Sequence, residues 1–195
     1  MLLQNLRKET ASFHAHLEQN QASVRLMSAD VTLEDYKAYL SGLYGYIKMY
    51  ESVVLPRLEQ LDISLNIQRK VPFLEADLLL LSCEPTQIPV VEEDQIMATY
   101  PGIESALGGL YVLEGSMLGG AIITRHLQKY LGIQVAGRLQ YLGAYGAVPG
   151  INWKSFLELF CNAAVNLKED KIIEGAKNTY QSIDQWLNIM VVDAT

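Results

Sequence analysis

Apolar residues recur at intervals of three and four along almost the whole chain, and the two-residue alternation of strands joined by hairpin turns is not to be read in it. A chain patterned in this way buries the apolar stripes of helices against one another, so it is expected to fold as an all-α, compact helical bundle. Its 195 residues read as a single domain over 1–195, long enough to build a core without disulfide or metal staples.

Leu3, Leu6, Phe13 and Leu17 mark a first helix, and a short helical turn is expected over 21–27. Thr32 followed by Leu33-Glu34-Asp35 has the form of an N-cap with an acidic first turn. It opens a long helix through Tyr36, Leu40, Leu43, Tyr44, Ile47 and Tyr50, which Pro56 bends or ends. Further helices are expected over 72–82, 103–130, 152–166 and 169–191. A loop runs through Pro85 and Pro89, and the glycine- and proline-containing stretch 132–150 breaks the pattern, with a turn of helix expected at 139–145.

The net charge of −7 argues against nucleic acid as a partner, because phosphate recognition needs a basic footprint. Any anionic ligand must then be met by local positive groups. No stretch reads as an apolar run long enough to cross a bilayer, and the opening MLLQNLRKET lacks the basic and apolar regions of a signal peptide. The expectation is a cytoplasmic protein without a membrane partner. Cys83 and Cys161 have no metal-type spacing and read as small core or surface residues.

The segment 110–127, LYVLEGSMLGGAIITRHL, is the most unusual. It has helical periodicity yet contains Gly115, Gly119 and Gly120, with Gly108 and Gly109 just upstream. Each glycine inside a helix costs about 1 kcal/mol relative to alanine, so something must compensate. Gly115 and Gly119 share a face, and Ser116 and Gly120 form the adjoining row of small residues. Such a strip of bare backbone admits close packing of another helix or the approach of a flat ligand, and it also permits a kink.

Only His14, His16 and His126 carry imidazoles. In LRKETASFHAHLE, Arg7, Thr10 and Glu18 stand at −7, −4 and +4 from His14, near one helical face. The arrangement suits a metal-bound imidazole whose second ring nitrogen is oriented by Glu18, with Arg7 about 10 Å along the axis to meet a carboxylate at a ligand's edge. It equally describes an ordinary half-buried histidine among surface charge pairs. His16 lies roughly 200° around the helix from His14 and reads as a surface residue, and His126 as structural or exposed.

Together these two segments resemble the heme oxygenase family. The first follows L-[KR]-x-x-T-x-x-x-H-x-x-x-E from Leu6 to Glu18, and the second the pattern G-x-x-x-G-G at Gly115, Gly119 and Gly120. The fuller string from Tyr111 to Gly120, YVLEGSMLGG, is similar to the bacterial branch that includes phytochrome-associated members. Tyr141-Leu-Gly, Trp153-x-x-Phe156 and the Ala176…Tyr180…Trp186 helix fit the family's later helices.

The resemblance implies a heme oxygenase that cleaves heme to biliverdin, releasing CO and ferrous iron, with dioxygen and external electrons. Heme, substrate and cofactor at once and the only bound one, would lie between the two helices. His14 would be the proximal iron ligand with Glu18 behind it, and Gly115, Ser116, Gly119 and Gly120 the distal wall. Arg7, Tyr111 and Lys154 would meet the propionates, with Thr10 in the proximal motif. Small distal residues would let dioxygen lean toward a meso carbon, with ordered water supplying protons. Electrons would come from a ferredoxin or flavodoxin-type donor, because no flavin, nicotinamide or iron–sulfur motif is present. A phytochrome is the implied acceptor of biliverdin.

Many members carry an aspartate where this chain has Ser116, Met117 and Ala121 replace polar residues, and Glu158 stands where some have a basic propionate contact. The alternative is a non-catalytic heme-binding or sensing protein on the same fold. A di-iron oxidase would need Glu-x-x-His pairs, which the sequence lacks, and a thiaminase-like hydrolase an activated cysteine.

Overall fold

The computed structural model of the chain describes residues 1–61, 65, 67–144 and 149–192. The fold is all-α, with no strand among the described residues. In chain order the helices are α1 (Leu2–Glu18), α2 (Gln21–Leu26), α3 (Leu33–Met49), α4 (Leu55–Leu58), α5 (Val71–Leu80), α6 (Glu93–Thr99), α7 (Ile103–Ser116), α8 (Gly120–Leu131), α9 (Pro149–Ala164) and α10 (Glu169–Val192).

The capping expectation at Thr32 holds: its hydroxyl accepts from Asp35 N at 3.1 Å, and the Asp35 carboxylate accepts from Thr32 N at 2.8 Å. Asn20 similarly caps α2 by accepting from Ala22 N, while its amide donates to the backbone and side chain of Asp184, pinning the α1–α2 corner to α10. Pro56 does not break the long helix outright. Tyr50–Val54 widens into a π-helical turn and Pro56 then occupies the first turn of α4, where its missing N–H is tolerated. Helix α5 closes earlier than expected because Ser82 adopts φ 57°, letting Cys83 N donate back to Leu78 O at 2.9 Å. Helix α6 had no sequence counterpart; its seven residues are too few to display a period.

The core is continuous and α10 runs through it, flanked by α7, α1 and α3. Where α7 meets α10, a Cβ on Gly108 would lie 2.1 Å from Ile172 O, and one on Gly175 would lie 2.4 Å from Ser105 Cα. The two backbones touch, so Gly108 serves helix packing, while its neighbour Gly109 makes room for the Tyr100 ring, 2.5 Å from where its Cβ would stand. Helix α3 joins α10 through the Trp186 indole N–H, which donates to Gly42 O at 2.9 Å.

The expected single helix over 103–130 is two helices. A tight 3-10 turn at Met117–Gly119 separates α7 from α8, which is the kink the glycines permit. The turn of helix expected at 139–145 is present through Ala144 as one isolated turn, with Gly143 N donating to Leu139 O at 3.0 Å, and it does not propagate into a helix; Tyr145 lies outside the described residues. The chain there is held by buried Asp77, which accepts from Gln140 N and Tyr141 N at 2.9 Å each, and by Tyr36, whose hydroxyl donates to Arg138 O at 2.8 Å.

One expectation about membranes needs correction. By length and composition the helical path Ile103–Val135 is apolar enough to cross a bilayer, contrary to the sequence reading. Some 61% of its most apolar window is buried against the other helices, so its hydrophobicity is that of a core segment.

Candidate functional site

A cavity of about 620 Å³ opens between α1 and α2 on one side and the α7–α8 junction on the other, within the range of small-molecule and cofactor sites. Helix α1 contributes His14, Leu17 and Glu18, and the junction contributes Ser116, Met117, Gly119 and Gly120. The floor is apolar: Leu43 and Ile47 from α3, Val112 and Leu113 from α7, Ile183 and Leu187 from α10. The two segments singled out in the sequence therefore wall one cleft.

His14 stands on that wall with Nδ1 3.7 Å from Glu18 Oε1, one turn along the same helix. The ring is packed edge-on against Tyr180, with centroids 5.8 Å apart. With Nδ1 toward the carboxylate, Nε2 is the nitrogen left for a metal. His16 points elsewhere, 3.6 Å from Asp184, and is 76% exposed; the His126 ring nitrogen bonds Ser28 O at 2.9 Å. Among the described residues no three His, Cys, Asp or Glu side chains gather as a metal site. A lone imidazole suits a metal that arrives with its other ligands.

The glycines divide by partner. A Cβ on Gly119 would meet nothing within 4 Å, so this position presents bare backbone to the cavity. A Cβ on Gly120 would stand 2.3 Å from Leu142 O, and one on Gly115 would touch the Trp153 indole at 3.4 Å. Gly120 thus lets the 139–144 turns close over the cleft, Gly115 seats an aromatic ring, and Gly119 alone faces the open space. Ser116 borders the cavity, but its hydroxyl donates to Leu113 O at 2.8 Å.

Arg7, Tyr111 and Lys154 are not cavity-wall residues. The Arg7 guanidinium engages the Tyr111 phenol, which burial pushes above its ordinary pKa and Arg7 draws back down. The Tyr111 ring packs against Trp153 and Phe160, and Lys154 is exposed beside that cluster. Thr10 is buried, its hydroxyl satisfied by donating to Leu6 O at 2.7 Å one turn back along α1, so it faces the core and not the cavity. Cys83 and Cys161 are free and half-buried, and burial pushes the Cys161 thiol up, the opposite of an activated nucleophile.

Sequence reasoning about the site passed over Tyr39 and Tyr141, both on the cavity wall. Tyr39 follows the same spacing as Leu43 and Tyr46, so α3 carries a second apolar face that its pattern displays. Tyr141 sits in irregular chain, where periodicity gives no orientation.

Fold and cleft together define an all-helical protein in which one imidazole and one stretch of bare backbone line the same apolar cavity. The chain belongs to the heme oxygenase family, whose profile, described as heme oxygenase, matches residues 1–189. In structure it is similar to heme oxygenase-1 from the cyanobacterium Synechocystis, a crystal structure in complex with heme. That likeness has a TM-score of 0.76 at 17% identity and covers 99% of this chain and 98% of the other. A search of curated protein sequences gave no match.

Proposed function

We propose that this chain binds heme through His14 and cleaves it oxidatively to biliverdin, releasing CO and ferrous iron with dioxygen and external electrons. The observation that carries the reading is the shared cleft: a lone imidazole backed by Glu18 and the unobstructed backbone of Gly119 border one apolar cavity. Those features suit a flat, largely apolar macrocycle that holds its iron with its own ring nitrogens, so that a single imidazole is what the protein would add. The bound porphyrin and its iron supply the oxidative chemistry. The protein's part is to hold the iron at His14 Nε2, to orient that ring through Glu18, to exclude bulk water with the apolar floor, and to leave room beside Gly119.

In this reading Gly115, Ser116 and Gly120 shape the distal wall, while Arg7, Tyr111 and Lys154 at the neighbouring edge meet the propionates. The reading extends to a bacterial cytoplasmic enzyme of the phytochrome-associated type, served by a ferredoxin or flavodoxin-type donor and passing biliverdin to an acceptor such as a phytochrome.

The first experiment is addition of hemin to the purified protein, followed by reductant in air. A stoichiometric Soret complex that converts to a biliverdin spectrum is expected, and His14→Ala should lose the axial ligation and most of the turnover. Full activity in His14→Ala would remove the assignment. One observation favours a second reading: the Ser116 hydroxyl is turned to Leu113 O, so the position held elsewhere by an aspartate offers the cleft no free donor. A heme complex that stays intact with several donors would favour a binding or sensing protein.

A further inference from the structure

We infer that the hydrogen bond between His126 and Ser28 is a latch across the mouth of the cavity, and that a guest enters and leaves between α2 and α8 when it opens. The latch stands on the geometry of the cavity; that the guest is heme rests on the reading above.

The mouth is marked by side chains that line the cavity and are also open to solvent. Val24 and Met27 on α2 are 48% and 41% exposed, and Ile122 on α8 is 57% exposed. Apolar lips of this kind suit the passage of an apolar guest. Between them His126 Nε2 lies 2.9 Å from the carbonyl oxygen of Ser28, itself a cavity-wall residue. A carbonyl only accepts, so Nε2 carries the proton and donates. Tyr130 backs the imidazole, with ring centroids 4.7 Å apart. Among the described residues the hydrogen-bonding side chains of Arg125 and Lys129 turn to α8 itself, so His126 is what ties this helix to the opposite lip.

One lip is fixed and the other is built to move. Asn20 pins the start of α2 to Asp184 of α10 at 2.8 Å, and Arg25 pairs with Asp35 of α3 at 3.1 Å. Helix α8, by contrast, runs at each end into a glycine-bearing 3-10 turn, Met117–Gly119 before it and Gly132–Val135 after it, and its main backbone approaches are to those two turns. Gly132 holds φ 53° and ψ −122°, a conformation that other residues rarely adopt. Buried Gly120, Leu127 and Leu131 share the face that seats α8 on the core, whereas Ile122 and His126 lie on the far side of the helix from that seat. A small rotation on the seat therefore displaces the lip most, and the His126–Ser28 bond opposes it.

The test compares two substitutions. His126→Phe keeps a ring against Tyr130 and deletes the donor, and His126→Gln keeps an N–H donor at nearly the reach of Nε2. Loss of one such bond is worth about a two- to tenfold change in the open population. Stopped-flow mixing with hemin, and transfer of bound hemin to excess apomyoglobin, should both be faster by about that factor in His126→Phe and near the parent rates in His126→Gln. Unchanged rates in His126→Phe overturn the latch, and so does faster release with unchanged association, because the bond would then act on the bound state alone. Should His126→Phe fail to fold, His126→Asn, whose amide is too short to reach Ser28, takes its place. A reading that needs no heme places nitroxides at Gln21→Cys on α2 and Gln128→Cys on α8, both exposed, in a chain carrying Cys83→Ser and Cys161→Ser. By pulsed electron paramagnetic resonance their separations should spread to longer distances on loss of the donor, and an unaltered distribution overturns the latch. Where the parent protein takes up no hemin, the heme reading fails and this distance measurement alone decides the latch.

Discussion

Gly119 and Gly120 are neighbours in sequence with opposite surroundings, open cavity for one and the Leu142 carbonyl for the other. Gly119→Leu is expected to fold with a melting temperature close to that of the parent while weakening hemin binding at least about tenfold, since the new side chain fills ligand space. Gly120→Ala is expected to do the reverse, lowering stability by about 1–3 kcal/mol because backbone must move, and disturbing the cleft only through that movement. Thermal melting and hemin titration of both variants separate the two roles, and a like response from both would refute the division. The spacing of the glycines announced a bare face. Which glycine meets a helix, a ring, a loop or a void depends on chain segments far away in sequence, and no local pattern encodes that. His14 and Glu18 were legible together because both lie on one helix, four residues apart.

At the scale of elements, the sequence was most readable where the stabilising interaction is local. Thr32 and Asp35 form their capping box within four residues, and the long helices show their apolar stripes directly. It was least readable where termination depends on an unusual conformer. Ser82 closes α5 with a positive φ of 57°, a conformation that glycine adopts without its steric cost. Ser82→Gly is therefore expected to stabilise the protein by about 0.5–1 kcal/mol, detectable as a higher urea midpoint with an unchanged slope. A lower midpoint would show that the serine side chain contributes more than the backbone strain it carries. The π-helical widening ahead of Pro56 belongs to the same category: proline signals a disturbance, and its form depends on how the buried face of Tyr50–Val54 is packed.

Across the whole molecule, two buried polar links join parts that no periodicity connects. Lys70, before α5, pairs with Glu114 on α7, both almost wholly buried. Lys70→Met should destabilise by about 3–5 kcal/mol by leaving Glu114 unpaired, and adding Glu114→Met should restore much of the loss. Absence of that rescue would mean that the lysine acts through packing and not through the pair. Asp77 is the second link. Burial raises its pKa from 3.8, against the lowering effect of the Tyr141 and Gln140 amides. The native state thus holds this proton more tightly than the unfolded chain does. Its contribution to stability is greatest below pH 3.8 and declines as pH rises from there through the folded value. Asp77→Asn should lose that decline in a series of urea titrations across pH, and should be less stable near neutrality by about 1–3 kcal/mol for its missing second acceptor. Such long-range links explain why 132–144 read only as broken pattern: its conformation is written in α3 and α5.

The contact between α7 and α10 at Gly108 and Gly175 has a mechanical consequence. Backbone pressed on backbone fixes the first half of α7 like a beam set in masonry. Two turns further on, the 3-10 turn at Met117–Gly119 interrupts the regular ladder where α8 departs. Stiffness is therefore graded along one uninterrupted piece of chain, and the compliant joint falls beside the cavity. Α cleft built this way can widen for a large rigid guest by swinging its outer arm, while the deep wall that sets the guest's orientation stays in register.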